Sequence, residues 1–180
     1  MNQPASFTPS PSKNDPTQLN QAMANAILQR RMKAGASNFY FIGGLSVLNS
    51  FMSAFGGGVT FVVGLALTQF VDVMAIGLGQ ASPDMAFPIK IIGLVLSILI
   101  SGVIALFGFF ARKGQNWAFL TGMIIYGVDA LIMLAFQDWL AFAFHLFFMW
   151  GLFTGWQALN KLQKNMPKPV SDFPQDIGVS

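Results

Sequence analysis

The chain contains no cysteine and no glutamate, and its 180 residues carry few charges of any kind. Without cysteine there are no disulfides, no thiolate metal ligands and no thiol redox chemistry. All seven acids are aspartates. Charged residues make up 9% of the chain against 54% hydrophobic, too few to clothe a soluble domain of this size. The net charge of +3 carries no nucleic-acid signal, because the basic residues flank apolar runs and form no aromatic-studded patch. Residues 1–38 hold no early apolar run followed by a small-residue cleavage site, so no secretory signal is expected. There is no HExxH, GxSxG, phosphate loop or CxxC. Neither an enzymatic activity nor a cofactor is expected.

What the chain does have is four long apolar stretches, 59–79, 88–110, 117–136 and 139–159. Each is about 20 residues, enough to cross ~30 Å of hydrocarbon as a helix. In lipid a helix closes its own backbone hydrogen bonds and needs no shared core. The expected fold is an all-α integral membrane protein, a four-helix transmembrane bundle within residues 38–160.

Two segments precede the bundle. Residues 1–14, rich in Pro, Ser and Asn, read as a disordered tail. Residues 15–37 read as a basic amphipathic helix. Asp15 suits the N-cap, Pro16 the first helical position, and Gln18 can close a capping box. Leu19, Met23 and Ile27 then recur every fourth residue beside Ala22 and Ala26, and Arg30, Arg31 and Lys33 crowd the end, where Gly35 is expected to terminate the helix. Such a helix suits an anionic lipid surface. Segment 39–55 is ambiguous: barely long enough to span, with Ser46, Asn49, Ser50 and Ser53 in a polar stripe and three glycines after it. It reads as an interfacial or re-entrant segment, or a fifth span.

Charge chooses between these. With five spans, the ten basic residues divide five against five across the membrane. If 39–55 does not cross, all but Lys90 fall on one side, nine against one. Cytoplasmic segments carry the Lys and Arg excess. Four spans with both termini cytoplasmic, in a bacterial-type inner membrane, is therefore the expected topology. The tail 161–180 is polar, and Trp117 and Trp139 suit the headgroup boundary.

Gly93, Ser97, Ser101 and Ala105 repeat every fourth residue, and Gly151 and Gly155 make a GxxxG step. Small faces let helices approach closely, within one chain or in a homodimer. Asp72, Asp129 and His145 lie inside apolar runs, where a charge costs at least ~2.5–3.5 kcal/mol. Antiparallel spans would place all three ~9–11 Å from the same membrane face. The candidate site is thus an Asp72–Asp129–His145 cluster, with Gln69 and Tyr126 as its supporting shell and Lys90 snorkelling toward it. A carboxylate–histidine group can relay protons, bind a divalent metal, or simply fix helix register. The expected role is that of a non-enzymatic accessory or assembly subunit, or a homo-oligomer, with the lipid bilayer and a second copy or a larger membrane complex as its partners. A small proton- or ion-coupled transporter or channel is the first alternative, and a membrane-embedded metal-binding protein the second.

Overall fold

The structure, a computed structural model, describes residues 16–56 and 64–166. The expected tail 1–14 and most of the C-terminal tail lie outside them. Among the described residues five helices follow one another: α1 (Pro16–Ala54), α2 (Ala66–Ala81), α3 (Ala86–Arg112), α4 (Asn116–Ala135) and α5 (Trp139–Asn165), with a 3₁₀ turn at Pro83–Met85 before α3. The segment ahead of α3 together with α3, then α4 and α5, are long and apolar enough to cross a membrane. Only 28%, 39% and 22% of their apolar windows are buried inside the protein. Packing within the chain therefore does not account for their apolarity, and the rest faces lipid.

The turns explain the short connections. After α3, Gly114 adopts φ +80°, and the N–H groups of Gly114 and Gln115 bond back to Ala111 and Phe110. This left-handed residue closes the helix in a Schellman motif. After α4 the same motif uses Gln137 at φ 61°, a residue without glycine's freedom. Asp138 then caps α5 by accepting from the Ala141 N–H at 3.0 Å.

Two expectations need correction. Gly35 does not end a helix. The basic segment and segment 39–55 form one unbroken helix, α1, of 39 residues, about 58 Å long. The helix runs on because Gly35 serves packing: it is buried against Gly155 of α5, where a Cβ would meet backbone. Neither is stretch 59–79 a full helical span. Helix starts only at Ala66, after an extended Leu65, and α2 has 16 residues, about 24 Å. Residues 57–63 lie outside the described residues.

Contacts fix the register. Gly108 of α3 faces Ala36, Phe39 and Tyr40 of α1, and Gly43 faces the Ser101 carbonyl. At the other end Ala54 and Phe55 share a crevice with Ala86, Phe87 and Lys90. Residues 36–54 of α1 therefore stand antiparallel to α3 along its full length. Along α5, Gly35 meets Gly155, and Asn165 donates to Asn25 at 2.9 Å. α2 is also antiparallel to α3, pairing Gly79 with Ala86 and Ala75 with Gly93. Its first residue, however, lies deep in the bundle beside Ser46 and Asp129. Both small-residue stripes of the sequence are used inside the chain, α3's against α1 and α2, and the GxxxG step of α5 against α1.

Phe39, Ile42, Phe119, Tyr126, Leu152 and Leu159 form the centre of the core. The buried face of α1 carries Ser46, Asn49 and Ser50, while Phe41, Leu48 and Phe51 point outward. That inversion, polar in and apolar out, is what lipid as the outer solvent requires. Residues 16–24 are exposed on every side.

Candidate functional site

An α-helix leaves its first N–H groups without partners. α2 begins in the interior of the bundle, and its own N-cap residue, Leu65, offers no side-chain cap. The partners come from other helices. Ser46 Oγ accepts from the Leu65 N–H at 2.9 Å and donates to the Ile42 carbonyl at 2.8 Å. Asp129 of α4 accepts from the Ala66 N–H through Oδ2 at 2.8 Å and from the Leu67 N–H through Oδ1 at 3.1 Å. A carboxylate from one helix thus caps the start of another, where the helix dipole also favours negative charge.

His145 of α5 completes the group. Its Nδ1 lies 2.8 Å from the Ala141 carbonyl and its Nε2 3.0 Å from Asp129 Oδ2. A carbonyl can only accept, so Nδ1 carries a proton. One further proton lies between Nε2 and Oδ2. Whichever atom holds it, the pair is neutral overall, as aspartate with imidazolium or as acid with imidazole. Net neutrality avoids leaving an unmatched charge within the bilayer. The Tyr126 ring stacks on the imidazole, with centroids 4.7 Å apart and planes inclined by 16°. Asp129, His145 and Tyr126 are all buried.

The expected three-residue cluster is therefore divided. Asp129, His145 and Tyr126 meet. Asp72 lies six residues beyond Ala66 on α2, about 9 Å along the helix, and accepts from Ser97 Oγ at 3.0 Å. Ser50 Oγ also lies against this carboxylate, and Ser101 Oγ, one turn from Ser97, is buried without a partner among the described residues. Beside Asp72 is a small cavity lined also by Ser53 and Lys90, with room for about one water molecule. Lys90 thus belongs with Asp72. Gln69 belongs with neither carboxylate; it lies near Gly64, at the approach to α2. Among the described residues, no group of three His, Cys, Asp or Glu side chains is arranged to hold a metal.

Sequence reasoning missed the cap itself. Ser46 stood out only as part of a polar stripe, and nothing local to residues 59–66 marks an interior helix start except Gly64. That glycine lets the chain pass close to α1, because a Cβ there would lie 3.3 Å from the Asn49 amide.

A helical bundle with apolar faces outward and two hydrogen-bonded carboxylates, Asp72 and Asp129, inside it is an integral membrane protein. No protein family, curated protein or solved structure matches the chain.

Proposed function

We propose that α1, α3, α4 and α5 cross the bilayer and that α2 is a half-helix, entering and leaving at the same face. Support comes from the register: residues 36–54 of α1 run beside the whole of α3, whereas α2 starts at mid-depth. This arrangement keeps the charge count of nine basic residues against one, with both termini on the cytoplasmic side of an inner membrane. It differs from the sequence-based topology in which segment fails to cross. Single cysteines test it, in a chain that has none of its own. An impermeant thiol reagent should label Phe55→Cys, Ser82→Cys and Gln137→Cys from one face and Gln115→Cys from the other. Labelling of positions 55 and 115 from one face would refute the arrangement.

Within that topology the protein is a non-enzymatic subunit or assembly component of a membrane complex. The observation that carries this reading is the use made of the buried ion pair. Asp129 and His145 are fully engaged in holding α2, and the connections at 113–115 and 136–138 are three residues each, too short for a catalytic domain. Gentle extraction of the tagged chain from its membrane should yield other subunits in fixed ratio.

One observation favours a second reading, a proton or ion carrier. Asp72 is not engaged in capping; it lies against the Ser50 and Ser97 hydroxyls and borders the water-sized cavity. Recovery of the chain alone, with flux in liposomes abolished by Asp72→Asn at unchanged thermal stability, would support it.

A further inference from the structure

We infer that the groove between α1 and α5 at the basic end of the bundle is a binding site for one anionic diacyl phospholipid. The inference rests on the proposed topology only in that this end must lie at a leaflet surface. The groove, of about 420 Å³, is lined by Arg31, Ala34, Gly35, Asn38, Gly151 and Thr154. It exists because Gly35 and Gly155 bring the two backbones together without side chains between them.

Three features point to the ligand. First, charge: Arg30, Arg31, Lys33, Arg112, Lys113, Lys161 and Lys164 all gather at this end, and none pairs with a described acid, since Asp129–His145 is the sole ion pair among the described residues. The described aspartates lie elsewhere, Asp84 and Asp138 at the opposite end and Asp72 and Asp129 inside. Juxtamembrane basic side chains attract anionic headgroups, and a guanidinium fits phosphate bidentately. Second, an unmet amide: the half-buried Asn38 carboxamide has no hydrogen-bond partner among the described residues. It lies two helical turns from Arg31 on the same face, about 10 Å deeper. In hydrocarbon such a group needs a polar partner, and a lipid's ester carbonyls supply one. Third, Phe147 and Trp150 lie one turn before Gly151 and Thr154 on the same face of α5, and at 69% and 68% exposed they offer surfaces that suit acyl chains. An arginine for the phosphate and an amide for the ester line one groove, and the exposed aromatics for the chains follow on the same face of α5.

The test uses the full chain in micelles holding equal amounts of phosphatidylglycerol and phosphatidylcholine with matched acyl chains, and native mass spectrometry of the retained lipid. One phosphatidylglycerol should be retained in preference. Arg31→Gln should reduce that preference roughly fivefold, the effect of one interfacial cation, and Arg31→Lys should restore part of it. Lys113→Gln, which removes the same charge outside the groove, should leave it intact. Ala34→Phe fills the groove from an exposed position without altering charge and should displace the lipid. Equal losses in Arg31→Gln and Lys113→Gln, retention in Ala34→Phe, or stoichiometric binding of inorganic phosphate to the delipidated chain would each overturn the inference. Cysteine labelling reads topology independently, so failure of the lipid site and failure of the topology are distinguishable.

Discussion

Replacing Asp129 by alanine should cost about 3–5 kcal/mol of stability, the range for removing one partner of a buried pair. The loss has three parts. The Ala66 and Leu67 N–H groups lose their acceptor, and His145 Nε2 loses its partner. Water cannot replace them at this depth, so each group bears its desolvation cost in full. Asp129→Asn should be milder. Its carboxamide oxygen can still accept from Leu67, and its NH₂ can donate to Nε2 of a neutral His145. Only the Ala66 N–H, which shares Oδ2 with the histidine, is then left without an acceptor. The order of thermal unfolding midpoints in one detergent should be wild type, Asn, Ala. Hydrogen exchange separates this account from a general loosening: amides 66–69 should lose protection in Asp129→Ala before those of α3 do. Uniform loss of protection along the chain would mean that Asp129 supports the bundle as a whole and has no special role at the start of α2.

This site also marks where sequence reasoning stopped. Equal depth is readable from spacing, and it placed Asp129 and His145 at one level, where they meet at 3.0 Å. The same argument included Asp72, because it counted from the ends of an assumed full span 59–79. A helix that starts at Ala66 shares α4's ion pair at its first residue, and Asp72 then falls a turn and a half further on, with Ser97. Helix starts are found in sequence through local caps. Here the cap comes from a residue 63 positions away, and no local pattern contains it. The charge count had a related blind spot. Between Lys33 and Lys90 there is no basic residue, so segments 39–55 and 59–79 can exchange the roles of crosser and non-crosser without moving any cation. Charge can therefore set the number of crossings and stay silent on which segment makes them. Hydropathy favoured the second segment because α1 is polar on its buried face, and composition alone does not say which way a polar stripe points.

The contact between α1 and α5 makes a prediction whose sign changes with position. A Cβ on Gly155 would lie 2.7 Å from Gly35 Cα, 3.2 Å from the Phe119 ring and 3.3 Å from the Gly35 carbonyl carbon. A Cβ on Gly35 would run into Gly155 Cα and lie 2.9 Å from the Gly151 carbonyl oxygen. These obstacles are mostly backbone on rigid helices, so they cannot move aside as a flexible side chain would. Alanine at either position should force α1 and α5 apart, at about 1–3 kcal/mol for overpacking. Leucine should cost more and release the Asn165–Asn25 bond at the basic end. Gly44 and Gly102 also lie within helices, but a Cβ on either meets nothing within 4 Å. There alanine should raise stability by roughly 0.5–1 kcal/mol, because glycine loses more backbone freedom on folding. Thermal unfolding of the four alanine variants in one detergent should therefore fall on both sides of wild type, with 35 and 155 below it and 44 and 102 above. If all four variants fell on the same side, helix propensity or a nonspecific effect would govern, and the close approach of α1 to α5 would lose its support. The split matters because the same close approach of α1 to α5 shapes the groove that Gly35 lines together with Arg31 and Asn38.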